Sequence, residues 1–436
     1  MSGSVTVPSG TSTPITQNYS NTFNSALAKS IADALAAASQ QTNLFIQTVN
    51  GSGSVPSNTV TGSTGELVIE PGTTGAVSVD GSYQYIVDNS AGPDTIFGSP
   101  GQSIMAGPGV HTIVDPAAIT LSDDAIGNVI LTGINDSVAA GNGAATVAAT
   151  AANEFVLGGG GALFVNVTGS SDSVSGGAGA LTANVAGAND TIIGGGGAAF
   201  VTLSGSHARV VGTGANLTVL DNGTADTIDA GQSLTSVTAP GGSFIRGGSG
   251  PLTFVGGSGP STIVGATGPS SVFGGTGSTS IIGGPGGATT YVNTMSGGLF
   301  YVAGTGGETV DASLSKAPAT LFGGQSSASN DLMIGGAGND LITGGMGSDT
   351  LVGGGGANGF YFWNSLGGPT ANHVISDFNA IDYVLLGNYG SDAAATAIEG
   401  ATTTAGSTTI TLSDSTKITF TGVTSSAALN GHIISI

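Results

Sequence analysis

Residues 335–352 read GGAGNDLITGGMGSDTLV, and this stretch decides the fold. It contains two consecutive nine-residue units of the form G-G-x-G-x-D-x-U-x, in which U is a large apolar residue. In each unit the glycines allow a tight turn with exposed carbonyls, and the Asp at position six adds a carboxylate to that turn. Position eight, Ile342 or Leu351, points inward from a short strand. The repeat therefore predicts a flattened, right-handed parallel β-helix with two units in each coil.

The flanking units 326–334 and 353–361 keep parts of the same pattern. Because turns two units apart stack, we expect Asp331 beside Asp349 and Asp340 beside Asn358. A hard cation fits between such turns, where carboxylate and carbonyl oxygens converge and water is partly excluded. The alternative is that these are glycine-rich turns without a metal. The predicted metal ligands are the side chains of Asp331, Asp340, Asp349 and Asn358 and the backbone carbonyls of Gly336, Gly338, Gly345 and Gly347.

These units resemble the haemolysin-type calcium-binding nonapeptide repeats of secreted RTX proteins, which form a parallel β-roll. The resemblance implies Ca²⁺ as the bound ion, a type I export machinery as a partner, and an extracellular or bacterial cell-surface location. It also implies an export signal near the C-terminus, where LNGHIISI ends apolar. The N-terminal MSGSVTVPSG lacks a basic region and an apolar core, so we expect no secretory signal peptide there. No apolar run is long enough to predict a membrane span.

The composition favours a repetitive fold and excludes one class of partner. The chain of 436 residues has 79 glycines, and its hydrophobic fraction of 39% argues against disorder. Five Lys plus Arg face 26 Asp plus Glu, which gives a formal net charge of -21. Nucleic-acid binding is therefore not expected, because few side chains could neutralise phosphates. Unbalanced carboxylates repel one another unless cations lie among them.

The predicted fold class is all-β: a right-handed parallel β-helix or β-roll solenoid with a short N-terminal α-helix and a C-terminal β-hairpin cap. The helix is predicted from Leu27, Ile31 and Leu35 at spacing four. We expect it to cover the first coil; the alternative is a helix that docks on a membrane or a partner. The expected segments are a flexible N-terminus (1–20), an amphipathic capping helix (21–50), a degenerate solenoid (51–325), a calcium-binding β-roll (326–363) and a C-terminal cap with hairpin and export signal (364–436).

An acidic column with an 18-residue period precedes the calcium block. Rows beginning at residues 122, 140, 158, 176, 194 and 212 share one column that holds an acid in five of the six rows and Ala208 in the other. Two interpretations are open: weak calcium sites, or a ladder of the preceding Asn and Ser residues with the acids turned into solvent. The weaker metal candidates in this column are Asp136, Glu154, Asp172, Asp190 and Asp226.

Four further segments carry structural expectations. Residues 247–291 keep the nine-residue register but replace the acid with Leu, Ser or Thr, which predicts a calcium-independent section. Residues 292–325 are expected to be irregular. Phe360, Phe362 and Trp363 are expected to form a terminal plug, with Asp377 and Asp382 in a turn beyond it. Residues 408–423 alternate apolar and polar about a turn, as in a hairpin.

The motifs of common RTX-associated enzymes are absent from the sequence. It contains neither H-E-x-x-H nor G-x-S-x-G, so no zinc protease or lipase elbow is predicted. The first functional hypothesis is an extracellular, calcium-binding structural protein of a surface layer, adhesin or biofilm matrix, which self-associates or binds a cell-surface glycan. The alternative is a β-helix enzyme that acts on acidic polysaccharide as a lyase or epimerase. A flat ice-binding face would need regular Thr ranks, which are not seen.

Overall fold

The structure, a computed structural model, describes residues 3–9, 14–19, 22–41, 44–90, 93–106, 111–115, 120–123, 127–286, 289–293, 297–324, 330–364 and 371–436. Two compact units divide the chain, Met1–Thr218 and Val219–Ile436. In both units short parallel strands, numbered in chain order, are the commonest regular element. The all-β, parallel β-solenoid class predicted from the repeats is confirmed.

The first unit begins with a hairpin and a helix and continues as a solenoid. Odd-numbered strands from β3 form one parallel sheet, the odd sheet, and even-numbered strands from β4 form a second, the even sheet. The elements are β1 Gly3–Val7, β2 Ile15–Tyr19, α1 Thr22–Gln40, β3 Leu44–Val49, β4 Gly53–Ser54, β5 Thr64–Ile69, β6 Gly75–Ser78, β7 Tyr85–Asp88, β8 Asp94–Phe97, β9 Ser103–Ala106, β10 His111–Asp115, β11 Thr120–Asp123, β12 Gly127–Leu131, β13 Ser137–Ala140, β14 Ala145–Ala149, β15 Phe155–Leu157, β16 Leu163–Val167, β17 Ser173–Ser175, β18 Leu181–Val185, β19 Thr191–Ile193, β20 Ala199–Leu203, β21 Arg209–Val211 and β22 Leu217–Asp221.

The second unit has the same alternation of odd and even parallel sheets and ends with an antiparallel addition. Its elements are β23 Asp226–Asp229, β24 Thr235–Ala239, β25 Ser243–Arg246, β26 Leu252–Gly256, β27 Ser261–Val264, β28 Ser270–Gly274, β29 Thr279–Ile282, β30 Thr289–Asn293, β31 Leu299–Val302, β32 Thr309–Asp311, β33 Ala319–Phe322, β34 Leu332–Ile334, β35 Leu341–Thr343, β36 Thr350–Val352, β37 Gly359–Trp363, β38 Asn372–Ile375, β39 Tyr383–Gly387, α2 Ala393–Glu399, β40 Thr402–Thr404, β41 Ser407–Thr411, β42 Lys417–Thr421, a 3-10 turn Ser426–Leu429 and β43 Ile433–Ser435.

The core of each unit lies between its two sheets. Successive coils place one apolar residue over another, as in the first unit, where Val147 pairs with Val165 and Val165 with Ala183, all fully buried. Position eight of the nonapeptides behaves in the same way in the second unit, since Ile342 and Leu351 are fully buried. Each such side chain contributes about 1.5–3 kcal/mol by burial, so the apolar column stabilises every coil.

The sequence predicted a flexible N-terminus over residues 1–20, whereas residues 3–7 and 15–19 form two strands. Strands β1 and β2 pair antiparallel, with Val5 opposite Gln17. Val5, Val7 and Ile15 are buried in one cluster with Leu35 of α1. The alternation of Val with polar residues in GSVTV is the pattern of a half-buried strand, which explains the pairing. Residues 10–13 of this segment lie outside the described residues.

Helix α1 is shorter than predicted and lies along a sheet. It ends at Gln40, and residues 44–49 of the predicted helical segment form strand β3. The cluster that contains Leu35 also includes Val68, Val87 and Met105, which belong to successive strands β5, β7 and β9 of the odd sheet. The helix thus covers the outer side of several coils, where the expected cap would have covered only the first. Among the described residues, no helix is long and apolar enough to span a membrane.

Two expectations for the second unit are wrong and one is confirmed. Residues 292–325, expected to be irregular, include strands β31, β32 and β33 of the solenoid. The expected terminal plug is strand β37 of the odd sheet, and Trp363 is 40% exposed. The solenoid continues beyond it, because β37 pairs parallel with β39. The predicted hairpin is present as β41 and β42, with Ile410 opposite Ile418.

Candidate metal-binding sites

The nonapeptide turns of residues 330–364, called the repeat block, stack the predicted ligands in pairs. Asp331, Asp340, Asp349 and Asn358 are all buried, with at most 2% of each residue exposed. The backbone N–H of Asp331 donates to Asp349 Oδ1 at 2.8 Å. The N–H of Asp340 donates to Asn358 Oδ1 at 3.0 Å. The structure therefore brings together both pairs of side chains that the sequence placed side by side.

The second carboxylate oxygens of the repeat block face the turns. Asp340 Oδ2 accepts from the N–H of Gly336 at 2.7 Å, and Asp331 Oδ2 accepts from the N–H of Gly324 at 3.1 Å. Asp349 Oδ2 differs, because it lies 3.1 Å from Nδ1 of the buried His373. Each acid thus offers oxygen lone pairs inside a turn that is closed to bulk water.

Glycine is required in these turns for two separate reasons. Gly345 and Gly347 have φ of 82° and 104°, a left-handed backbone that favours glycine. Gly344 has no room for a side chain, since a Cβ there would lie 2.9 Å from Asp349 Oδ2 and 2.7 Å from His373 Nδ1. Gly336 supplies a carbonyl that accepts from the N–H of Gly355 at 2.8 Å, which leaves its second lone pair for a cation.

Three residues that the sequence did not assign extend the stacked pairs into columns. The N–H of Glu308 donates to Asp331 Oδ1 at 2.9 Å, and His373 follows Asp349 in the same direction. The N–H of Asn358 donates to Asp382 Oδ1 at 2.9 Å. The first column is therefore Glu308, Asp331, Asp349 and His373, and the second is Asp340, Asn358 and Asp382. The expected turn role of Asp382 is also present, because its Oδ2 accepts from the N–H of Asn379 at 3.0 Å.

The sequence held a signal for these additional members. Residues 306–310 read GGETV, which repeats the glycine, acid and apolar order of the nonapeptide. Glu308 lies 23 residues before Asp331, and Asp382 lies 24 residues after Asn358. The strict 18-residue spacing therefore misses both. The extra residues of these coils lie between strands in the sequence, and the strands keep their register.

Burial makes these carboxylates costly to ionise. It raises the pKa of Glu308 to about 8, with the nearby Asp331 carboxyl as a further cause. Burial is also the main cause that raises the pKa of Asp340, Asp349 and Asp382 above the ordinary range. Buried carboxylate oxygens and turn carbonyls are the hard donors that calcium prefers. The donor set therefore fits Ca²⁺, which would neutralise the acids where they lie.

The predicted acidic column of the first unit, called the acid file, consists of Asp136, Glu154, Asp172 and Asp190. These residues are at most 2% exposed. The N–H of Glu154 donates to Asp172 Oδ1 at 2.7 Å, and the N–H of Asp172 donates to Asp190 Oδ1 at 2.9 Å. The acids therefore point inward, and the alternative in which they turn into solvent is wrong. Asp226 of the second unit is equally buried, at the start of β23.

The residue before each acid explains this orientation. Asn135, Asn153, Ser171 and Asn189 have φ between 62° and 66°, in the left-handed region, and their side chains are exposed. Asn tolerates this backbone better than most residues. The left-handed residue reverses the chain direction just before the acid, so the acid enters the interior and its neighbour faces water.

The second oxygens of three acids in the file have no hydrogen-bond donor among the described residues: Glu154 Oε2, Asp172 Oδ2 and Asp190 Oδ2. Burial raises the pKa of Glu154 to about 8 and that of Asp172 to about 6, and it also raises the pKa of Asp190. Glu154 is therefore either protonated or paired with a cation when the unit is folded at neutral pH.

The section without acids keeps the same buried position. Leu252, Ser261, Ser270 and Thr279 stand where the nonapeptide has Asp, and each is at most 5% exposed. Hydroxyl and methyl groups thus replace carboxylates inside the turns of residues 247–291. The calcium independence of this section stays a prediction.

Comparison with known proteins identifies the repeat block. The family described as RTX calcium-binding nonapeptide repeat matches residues 326–359 in four copies. Residues 326–329 of this range lie outside the described part of the chain. No curated protein matches the sequence. One similar solved structure is the crystal structure of extracellular lipase LipA from Serratia marcescens, with 19% identity and a TM-score of 0.18. The match covers 46% of this chain and 40% of the lipase chain, so it leaves more than half of the lipase uncovered.

RTX nonapeptide repeats are calcium-binding motifs, and the buried columns of Asp331, Asp349 and Asp340 are built from those repeats. Calcium is accordingly the ion that the repeat block binds. Residues 326–359 of the chain are RTX calcium-binding nonapeptide repeats, and they lie in a parallel β-solenoid fold.

Proposed function

We propose that the protein is a secreted structural component of a bacterial surface layer, adhesin or biofilm matrix, and that its repeat block folds and stiffens on binding calcium after export. The observation that carries the proposal is the burial of Asp331 and Asp349 in one hydrogen-bonded column. Buried like charges destabilise a fold unless a cation lies between them. Calcium would therefore stabilise the block where the ion is abundant and leave it poorly folded where the ion is scarce.

Two sites follow from the columns. Asp331 and Asp349, with the carbonyls of Gly345 and Gly347, form the first. Asp340 and Asn358, with the carbonyls of Gly336 and Gly338, form the second. The second site carries one carboxylate fewer, so it should bind calcium more weakly.

The acid file adds a weaker capacity to the proposal. Glu154, Asp172 and Asp190 keep one oxygen each without a hydrogen bond, so a cation there would satisfy a buried acceptor. Their turns contain the left-handed Asn and Ser residues in place of the G-G-x-G pattern. Protonation is the competing solution for Glu154, whose pKa burial raises to about 8, and it favours partial occupancy there near neutral pH.

The outer face of the even sheet in the first unit supports a role in assembly. Thr146, Phe164, Thr182 and Phe200 lie opposite one another in successive strands. Phe164 is 37% exposed and Phe200 is 44% exposed. A flat parallel sheet that displays alternating Thr and Phe can pack against another surface with little loss of side-chain entropy. This face is the proposed contact for self-association or for a glycan.

Thermal unfolding of the full chain in calcium and in EGTA tests the calcium part. Calcium should raise the midpoint by several degrees, and Asp349→Asn should remove most of that gain. The matched control is Asp392→Asn, which makes the same substitution at an exposed acid in the same unit. An unchanged midpoint in EGTA, or equal effects of the two substitutions, would sink the calcium role.

Assembly needs a separate measurement. Analytical ultracentrifugation and negative-stain microscopy of the full chain should show larger, ordered particles in calcium than in EGTA. The double variant Phe164→Ser/Phe200→Ser should reduce those particles and leave the calcium-dependent melting unchanged. If only monomers form under all conditions, the structural role fails even where calcium binding stands.

A further inference from the structure

A second cluster of ionisable side chains lies in the first unit, far in sequence from the repeat block. Asp88 ends strand β7, Asp94 begins β8 and His111 begins β10. They are 0%, 4% and 1% exposed. Because β8 and β10 pair in parallel with Asp94 opposite His111, the imidazole takes the place in the next coil where another acid of a repeat column would stand.

The cluster is compact and converges on one imidazole nitrogen. His111 Nδ1 lies 2.7 Å from Asp94 Oδ1 and 2.8 Å from Asp88 Oδ2. One ligand atom from each of the three residues lies within 4.8 Å of the others. A set of one nitrogen and two carboxylate oxygens thus shares one small volume.

Ser90 fixes the orientation of both carboxylates. Its backbone N–H donates to Asp88 Oδ1 at 2.9 Å, and its hydroxyl donates to Asp94 Oδ2 at 2.9 Å. Each Asp therefore turns its other oxygen toward His111. Such outer hydrogen bonds are how proteins hold metal ligands in position.

The protein alone leaves this cluster incompletely satisfied. The hydrogen bond of His111 Nδ1 is directed at Asp94. Asp88 Oδ2 is fully buried and lies 2.8 Å from the same nitrogen, and among the described residues it has no hydrogen-bond donor of its own. One ring N–H cannot serve two carboxylates fully, and two buried acids against one imidazole leave negative charge in a medium of low dielectric constant.

We infer that Asp88 Oδ2, Asp94 Oδ1 and His111 Nδ1 form a site for a divalent transition-metal cation of the zinc type, separate from the calcium repeats. Imidazole together with carboxylate suits zinc, whereas calcium prefers a shell made of oxygen alone. Three protein ligands with a further open position are a common zinc arrangement. The ligand atoms would move apart by about 0.5 Å, because donors around zinc lie about 3.3 Å from one another.

The site would tie the N-terminal hairpin to the solenoid. Gln17 of β2 is buried, and its Nε2 donates to the backbone carbonyl of Asp88 at 2.7 Å. A cation on Asp88 would thereby hold β2, β7, β8 and β10 together. The expected result is that zinc stabilises the first unit even when calcium is saturating.

Isothermal titration of the full chain with Zn²⁺ in excess Ca²⁺ tests the site. One equivalent of zinc should bind, and His111→Gln should weaken that binding by about 100-fold or more. Ser90→Ala, which removes only an outer hydrogen bond, should weaken it by about 10-fold. His207→Gln is the matched control, because that histidine is exposed, and it should bind zinc like the unaltered chain.

X-ray absorption at the zinc edge of the unaltered chain gives a second readout that does not depend on a variant folding. One imidazole nitrogen with carboxylate oxygens is the expected shell. Absence of zinc binding in excess calcium, full displacement of zinc by calcium, a shell without imidazole or with more than one, or unchanged affinity in folded His111→Gln would each overturn the assignment. Loss of zinc in His373→Gln alone would move the site to the first column and overturn it as well.

Discussion

The repeat block and the acid file bury their acids through the same backbone ladder but build different turns around them. In both, the N–H of one acid donates to the carboxylate of the next, as for Asp331 with Asp349 and for Asp172 with Asp190. In the block the left-handed residues are glycines early in the turn, such as Gly345 and Gly347. In the file the left-handed residue stands directly before the acid, as Ser171 does.

This difference separates the residues that the solenoid needs in order to form from the residues that a metal site needs. The ladder needs only an acceptor at the buried position, so it forms in both regions. The early glycines of the block bring backbone groups close to the second oxygen, as Gly336 does for Asp340 Oδ2. Among the described residues, Glu154 Oε2 in the file has no donor, whereas in the block only Asp349 Oδ2 departs from this pattern, since it lies beside His373 Nδ1. We therefore infer that calcium capacity follows the glycines more closely than the acids.

Removal of calcium by a chelator should produce the largest difference in hydrogen exchange between the repeat block and the acid file. In EGTA, we expect hydrogen exchange of strands β34–β37 in the full chain to accelerate by about 100-fold, which corresponds to roughly 3 kcal/mol. Strands β15–β19 of the file should change by less than about threefold. Restored calcium should reverse the change. Equal acceleration in both regions would show that the file depends on calcium as much as the block does.

A methyl group at Gly344 should disturb the first column directly, because it would meet the side chains of His373 and Asp349. Its Cβ would meet His373 Nδ1 at 2.7 Å and Asp349 Oδ2 at 2.9 Å, so Gly344→Ala should cost about 2–4 kcal/mol and weaken calcium binding. Gly355→Ala is the control in the same block, because its Cβ would find only ordinary contacts from 3.4 Å outward. Denaturant unfolding in calcium measures both. A neutral Gly344→Ala would contradict the described packing.

The pH dependence of the file should report its protonation state. Burial raises the pKa of Glu154 from 4.5 to about 8, so the folded chain binds more protons than the unfolded chain between those values. The stability contributed by the protonated acid is complete below pH 4.5 and is lost as the pH rises toward 8. Glu154→Gln should therefore raise the free energy of unfolding at pH 8 by roughly 2 kcal/mol and change it little at pH 5.

Added calcium gives a second test of the acid file in the comparison of Glu154→Gln with the unaltered chain. If the file takes calcium at pH 8, the ion should stabilise the unaltered chain in the region of strands β15–β17, and Glu154→Gln should remove that gain. Hydrogen exchange at matched pH locates the effect. A pH-independent difference between Glu154→Gln and the unaltered chain would refute the raised pKa.

The smallest predicted effect concerns the left-handed residues of the file. Ser171 has φ of 63° and an exposed side chain, so Ser171→Gly should stabilise the first unit by about 0.5–1 kcal/mol through relief of backbone strain. Asn153→Gly should gain less, because Asn already tolerates this backbone. Thermal unfolding at low pH, where the acids are protonated, gives the comparison. A loss of stability in Ser171→Gly would contradict the described turn.

Much of the solenoid could be predicted, because its period is written in the sequence. The nine-residue register predicts Ile342 and Leu351 in the core and Asp331 beside Asp349, and the structure has both. The stacking of side chains in successive coils could be predicted wherever two nine-residue units fill one coil without an insertion. The strand alternation in residues 408–423 was equally clear.

The site residues that were not predicted share a physical cause. Insertions fall between the strands, and the strands keep their register. Glu308 and Asp382 were not predicted, because they lie 23 and 24 residues from their partners in the columns, and the repeat spacing expects 18. The cluster of Asp88, Asp94 and His111 was not predicted for a related reason. His111 follows Asp94 by 17 residues, and it is a histidine at a position where the repeat would place an acid. The inward direction of the acid file depends on backbone dihedrals at residues such as Ser171, which spacing alone does not reveal.

The ladder of N–H groups and carboxylates also limits how far a local event can travel. Each coil of the second unit hydrogen-bonds to the coils directly before and after it, as β34 does to β32 and β36. A stack of this kind behaves as a one-dimensional chain of nearest-neighbour couplings. Calcium bound near Asp349 would therefore protect adjacent coils most, with a benefit that decays toward β25. Lesions should stay local in the same way, so that a damaged coil opens a short gap and leaves more distant coils of the unit folded.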